Sequence, residues 1–301
     1  MSHPALALLP DFLLIVLGFL VCRHTALDRS VWAGAERLVY WLLFPVLLFT
    51  SIVKSPLTLS SDVALAGAGM AVTAAGFLLA AALRHLPGVD AHRQASGAQV
   101  AFRFNSYVAL AMAERLGGAQ SLAWIALLVA VCVPLCNAGA VWALARHSGR
   151  DTWRELARNP LILATLGGLL ANIAGLRPAP VVDLTLSRIG SAALPLGLMA
   201  VGAGLQLGSL RVAPRLAAAL LGIRHLALPT LGLALGLLLG LPRGQALVLA
   251  VFAGMPTASS CYVLAARMGG DGPYVAGLVT ASTLVGMVSL PLTLSAFDWL
   301  R

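Results

Sequence analysis

The chain has 301 residues, of which 59% are hydrophobic and 10% are charged. Soluble domains have about 25% charged residues, so this composition excludes an ordinary soluble fold and indicates a membrane protein. The formal net charge is +9. In an apolar chain such basic residues lie in loops beside anionic lipid, so nucleic-acid binding is not expected.

Ten apolar stretches follow one another along the chain. Most are near the roughly 20 residues that a helix needs to cross about 30 Å of hydrocarbon. They predict an all-α membrane protein with ten transmembrane helices, numbered here as spans one to ten. The stretches are 5–22, 38–53, 63–83, 94–116, 122–145, 161–176, 184–205, 216–240, 246–266 and 274–297. No basic residue precedes the first and no Ala-x-Ala cleavage site follows it, so it is predicted to be a permanent helix.

One segment occurs twice. Residues Asn105 to Gly118 read NSYVALAMAERLGG, and Thr257 to Gly270, 152 residues later, read TASSCYVLAARMGG. The shift divides the chain into two five-span halves, 1–145 and 160–301, joined by the linker 146–159. Because five is odd, the second half enters the membrane from the opposite side, which predicts an inverted repeat.

Basic residues predict the orientation. Twelve lie in one set of alternate connections between spans and six on the opposite side. The richer side is expected to be cytoplasmic, so both termini are predicted to lie outside the cytoplasm and the linker within it.

Span nine contains a predicted helix break near mid-membrane. Pro256 lacks a backbone donor, and the small polar residues Thr257, Ser259 and Ser260 that follow it can cap a new helix. The alternative is a simple kink in which Ser259 and Ser260 bond back to carbonyls. The recurrence of polar residues in the other half favours the break.

Span four has polar residues at the matching place: Arg103, Asn105, Ser106 and Tyr107. Asn105 or Ser106 can cap a second half-helix. The start of such a half-helix presents unpaired N–H groups and the positive end of its dipole, which favours anions. Two such starts converge in an inverted repeat, so the breaks are the predicted substrate site.

Three further polar residues fall inside spans. Arg103 either faces a wet cavity, a partner or an anion, or extends to the cytoplasmic surface. Arg224 is expected to extend to that surface because it lies near the end of span eight. Asn137 either lines the site or links helices.

Acidic residues are scarce in the predicted spans. Asp11 alone is placed near the interior of one, while the other ten acids, Glu36 among them, are placed in loops or at span ends. Sodium and proton carriers usually hold their ion with buried carboxylates, so sodium coupling is disfavoured. The four cysteines, Cys22, Cys132, Cys136 and Cys261, lie within spans, and neither disulfides, a metal site nor a cofactor is predicted.

Four segments resemble the bacterial branch of the auxin efflux carrier family. They are Phe102 to Asn105, Val133 to Asn137, Asn159 to Leu163, and Met255 to Ala258 with Gly269 to Asp271. The resemblance implies that broken helices cross at spans four and nine, and that a scaffold and a moving transport part are interleaved across both repeats. It also implies a homodimer in the inner membrane. The implied substrates are organic anions such as auxin or small dicarboxylates. Span four departs from the family pattern because its break has no proline.

The sequence therefore predicts a secondary transporter for an organic anion, with Arg103, Asn105, Ser106, Tyr107, Asn137, Thr257, Ser259 and Ser260 binding substrate and Pro256 breaking the helix. The alternatives are a sodium-coupled symporter of the bile-acid carrier type and a transporter-like sensor. An intramembrane enzyme is not expected, because the chain has no Gly-x-Ser-x-Gly, His-Glu-x-x-His or paired intramembrane aspartates.

Overall fold

The backbone forms helices because a chain this apolar must satisfy its own hydrogen bonds within a bilayer. The computed structural model describes residues 4–54, 62–147, 158, 160–204 and 209–300. Regular structure in these residues is entirely helical, as the sequence predicts. The helices are α1 (Pro4–His24), α2 (Arg29–Leu38), α3 (Phe44–Lys54), α4 (Val63–Ala82), α5 (Ala91–Gly97), α6 (Gln99–Phe102), α7 (Ser106–His147), α8 (Pro160–Ile173), α9 (Pro180–Ser191), α10 (Ala193–Ala203), α11 (Pro214–Gly222), α12 (Leu228–Leu238), α13 (Arg243–Gly254), α14 (Ser260–Arg267) and α15 (Gly272–Leu300).

Five helical stretches of the described chain are long and apolar enough to cross a membrane. They are Val63–His85, Leu127–Ala145, Pro180–Ala200, Pro214–Leu238 and Gly272–Leu300. Leu13–His24 and Arg243–Gly254 are shorter apolar helices. The protein is therefore a multi-pass membrane protein, and the number of ten crossings stays a prediction. Most of the linker 146–159 lies outside the described residues.

The sequence separates spans four and five, whereas in the structure helical residues continue without a gap, as α7, from the second half of span four through span five. This helix cannot be straight. Cys136 Sγ lies 3.3 Å from the carbonyl oxygen of Phe102, only four residues before α7 begins. In a straight helix Ser106 and Cys136 would be about 45 Å apart. The chain must therefore turn back within α7, so that its C-terminal part returns to the level at which it began.

Close packing of α1 against α10 depends on glycine. A Cβ at Gly18 would lie 2.0 Å from the carbonyl oxygen of Met199, and one at Gly202 would lie 1.9 Å from that of Ile15. Small residues of this kind let membrane helices approach until their backbones touch.

Helix α13 lies at the centre of the protein. It packs against α7, α12 and α15, and nearly all of its residues from Gln245 to Gly254 are buried. Two π-helical turns interrupt neighbouring helical stretches, at Val39–Leu43 and at Ile223–Ala227. The second turn brings Arg224 against the C-terminal end of α13, where the candidate site lies, and His225 against α15.

Candidate functional site

The first helix break lies where the sequence predicts it, at Arg103 to Asn105 between α6 and α7. Arg103 has extended backbone angles, with φ −82° and ψ 141°. The Asn105 side-chain oxygen accepts a hydrogen bond from the backbone N–H of Val108 at 3.3 Å. Asn105 is therefore the N-cap of α7, and Ser106 is the first helical residue.

The second break follows Gly254 and also lies where the sequence predicts it. Met255 is extended, with φ −60° and ψ 144°, and helical structure resumes with α14 at Ser260. Thr257 donates its backbone N–H to Ser282 Oγ at 2.9 Å, so α15 holds the non-helical segment in place. Thr257 and Ser259 are both buried.

The two breaks touch each other. Asn105 donates its backbone N–H to the carbonyl oxygen of Pro256 at 2.9 Å. Beside this bond the rings of Phe104 and Phe252 pack edge to face, with centroids 4.5 Å apart. Backbone groups that the two helix breaks leave unpaired thus bond to each other. We call this meeting point of the two breaks, Arg103 to Asn105 and Met255 to Ser259, the crossing.

Arg103 is buried at the crossing, with 5% of its surface exposed. Its guanidinium donates to Gln99 Oε1 at 2.9 Å and to Ser260 Oγ at 2.7 Å. Neither partner is charged. The Arg103 guanidinium therefore lies inside the protein, and of the two interpretations that the sequence left open the structure favours an internal partner over extension to the surface.

Arg224 is also buried, so the expectation that it extends to the membrane surface is wrong. Only 2% of its surface is exposed. It donates to the carbonyl oxygens of Ala253 at 2.6 Å and Phe252 at 3.3 Å at the C-terminal end of α13. The Phe252 carbonyl also accepts the backbone N–H of Met255 at 3.4 Å. A cation is stabilised there by the negative end of the helix dipole.

A hydrogen-bonded chain connects the second break to His225. Ser282 Oγ, which accepts from Thr257, lies 2.8 Å from His225 Nε2, and Ser289 Oγ lies 2.8 Å from Nδ1. Ser282 and Gln99 are not among the site residues predicted from the sequence. Each has a weak signal: Gln99 lies one helical turn before Arg103, and Ser282 is a polar residue inside the predicted span ten.

Two donors at this depth have no partner among the described residues. They are Asn137 Nδ2 and Arg224 Nε. Asn137 is 1% exposed, and an unpaired buried donor costs about 1–3 kcal/mol. Both donors are therefore suited to receive an acceptor group from a bound molecule. The side chain of Tyr107, which the sequence assigns to the same site, lies outside what the structure describes.

Glu36 is buried, although it was predicted to lie with the acids in loops or at span ends. It is 5% exposed and accepts a hydrogen bond from Tyr262 Oη at 2.5 Å. Arg29 pairs with Glu36 at 2.6 Å and also donates to Tyr262 Oη. These contacts join α2 to α14, the short helix that follows the second break.

The crossing thus has two buried guanidinium groups, and neither forms a salt bridge with a carboxylate of the described chain. Such an arrangement attracts an anion and repels a bare cation.

A family model described as membrane transport protein matches residues 93–294, a range that contains both breaks and both arginines. No curated protein matches the chain.

Proposed function

Because the chain belongs to the membrane transport protein family that includes the auxin efflux carriers, we propose that it carries an organic anion across the membrane by alternating access. The observation that carries this proposal is the crossing itself. The breaks meet through the bond from Asn105 to Pro256, and the buried Arg103 beside them has only neutral partners.

We infer that the crossing prefers anions because two helix N-termini and two arginine side chains place positive charge there. Helix α7 begins at Ser106 and α14 at Ser260, and the N-terminus of a helix carries a partial positive charge. Arg103 and Arg224 add two full charges in a low-dielectric setting, where charge acts over a longer range than in water. A carboxylate can exchange with the Ser260 hydroxyl on Arg103 and gain a charge-assisted bond.

The helix contacts support the proposed inverted repeat of residues 1–145 and 160–301. The 152-residue shift exchanges span one with six and span two with seven. In the structure α1 of span one packs against α10 of span seven, and α3 of span two packs against α8 of span six. These two pairs exchange under the repeat, as a pseudo-two-fold axis requires, and such an axis passes through substrate sites in transporters.

The connections at the crossing support the proposed alternating access. Arg103 bonds Gln99 before the first break and Ser260 after the second. One side chain therefore links a half-helix from each repeat. We propose that a carboxylate that binds Arg103 displaces the Ser260 hydroxyl. The transport part then rocks against the scaffold, to which we assign α1 and α10.

The remaining features of the proposal come from the resemblance and from the charge distribution. They are a location in the bacterial inner membrane, both termini outside the cytoplasm and assembly as a homodimer. Substrate contacts are proposed for Asn105, Ser106, Tyr107, Asn137, Thr257, Ser259 and Ser260 as well as Arg103.

The proposal is tested by thermal stabilisation of the purified protein with a panel of mono- and dicarboxylates, each with and without sodium. Wild type, Asn105→Ala and the control Thr230→Ala are compared. Thr230 bonds only to Leu226 of its own helical turn in the described structure and is exposed. A carboxylate that stabilises wild type and the control, but not Asn105→Ala, supports the crossing as the site.

Two results would contradict the proposal. Equal stabilisation of Asn105→Ala would remove the crossing as the anion site, and stabilisation that requires sodium would favour a cation-coupled symporter. Flux of the selected carboxylate in proteoliposomes then distinguishes a carrier from a sensor, because only a carrier empties or fills the vesicle.

A further inference from the structure

A pocket of about 280 Å³ lies between α4, α5 and α7, apart from the crossing. Its walls include Phe77 and Trp142, whose ring centroids are 5.7 Å apart, and several alanines. Arg84 is the one charged residue among the lining residues. An apolar interior with a single cation is the lining expected for an amphiphilic anion.

Aromatic rings lie between the pocket and the crossing. Phe77 packs edge to face against Phe102, with centroids 5.5 Å apart, and Phe102 directly precedes Arg103. The other side of α4 is exposed: Leu78 is 64% and Leu79 43% accessible. In a membrane protein such leucines face lipid, so the helix that forms one wall of the pocket borders the bilayer.

Arg84 is placed to hold a phosphate. It is exposed and lies at the end of the α4 stretch, where a membrane helix reaches the headgroups. Its Nε donates to His85 Nε2 at 3.0 Å, which leaves both terminal NH₂ groups for a bidentate contact. No acid of the described chain forms a salt bridge with Arg84.

We propose that this pocket is a binding site for an anionic phospholipid, with the phosphate on Arg84 and part of one acyl chain along the alanine-lined wall. Basic pockets between membrane helices bind anionic lipid headgroups in this way. Ala81 lies on the same side of α4 as Phe77 and Arg84, so the chain passes over it and ends against the Phe77 and Trp142 rings.

The test is native mass spectrometry of the full-length protein with phosphatidylglycerol. Equimolar mixtures of wild type and one variant are titrated, so that both proteins meet the same free lipid. Arg84→Gln is expected to bind about fivefold less, which corresponds to one basic residue near a membrane surface. Ala81→Leu, which fills the pocket and keeps the charge, is expected to lose the same bound lipid. The control Arg188→Gln removes another exposed arginine and is expected to match wild type.

Two comparison ligands identify what is bound. Phosphatidylcholine with the same acyl chains is expected to bind less than phosphatidylglycerol, and glycerol phosphate, which has no acyl chain, is expected not to compete. Binding by Arg84→Gln and Ala81→Leu equal to that of wild type would overturn the proposal. Displacement by glycerol phosphate would show a free-phosphate site instead and would overturn it as well.

Discussion

Asn105 donates its backbone N–H to the carbonyl oxygen of Pro256, 151 positions away in sequence. This bond joins the two helix breaks at the centre of the protein. Pro256 has no N–H of its own, and its carbonyl is one that the break frees from helical pairing. A structural cost of each break is thus offset by the other, which explains how two interrupted helices persist at this depth.

Arg103→Gln is predicted to weaken binding of the carboxylate selected by the stabilisation panel by at least about tenfold, because a charge-assisted bond contributes about 1.5–3 kcal/mol. Arg103→Lys keeps the charge but cannot bridge Gln99 and Ser260 with one planar group. It is expected to recover only part of the affinity. Isothermal titration of both variants measures the difference, and wild-type affinity in Arg103→Gln would exclude Arg103 from the site.

Ser282→Ala is predicted to destabilise the protein by about 1–3 kcal/mol, because the buried N–H of Thr257 loses its acceptor. Thr280→Ala on the same helix is the matched control, since Thr280 bonds only to Ala276 of the preceding turn in the described structure. It is expected to change stability by less than about 0.5 kcal/mol. Thermal unfolding in one detergent compares the two, and equal melting temperatures would show that Ser282 does not hold the break.

Gly18→Ala is predicted to destabilise by about 1–3 kcal/mol, because the added methyl would overlap the Met199 carbonyl at 2.0 Å and force α1 away from α10. Gly34→Ala is the control. No atom lies within 4 Å of a Cβ at Gly34, which is an exposed helical position. There alanine is expected to stabilise by up to about 1 kcal/mol. A lower melting temperature for both variants would mean that helix contact is not the cause.

The helix break at Pro256 could be predicted because its cause is local: a missing N–H followed by residues that cap helices. The bond from Pro256 to Asn105 could not, because it depends on how two distant segments cross. Arg224 was misplaced for the same reason. Its partners are the carbonyls at the C-terminal end of α13. The position of Arg224 near the end of its own span does not indicate which groups of another helix lie beside it.

The burial of Glu36 has a signal in the sequence. Trp32, Glu36 and Val39 are spaced as one face of a helix, and all three are buried. Glu36 therefore lies in an apolar stripe, where a carboxylate needs a partner. The identity of that partner, Tyr262, follows only from the packing of α2 near α14.

The contact between Glu36 and Tyr262 is predicted to couple the two helices energetically. Glu36→Gln, Tyr262→Phe and the double variant form a cycle in which the coupling free energy is expected to be about 0.5–3 kcal/mol, as for residues in one hydrogen-bonded network. Tyr274→Phe is the matched control, because Tyr274 is also a buried phenol but donates to the Ala213 carbonyl. Its effect is expected to add to that of Glu36→Gln. If the effects of Glu36→Gln and Tyr262→Phe on stability were also additive, the coupling free energy would be zero. The contact between Glu36 and Tyr262 would then not hold α14 against α2.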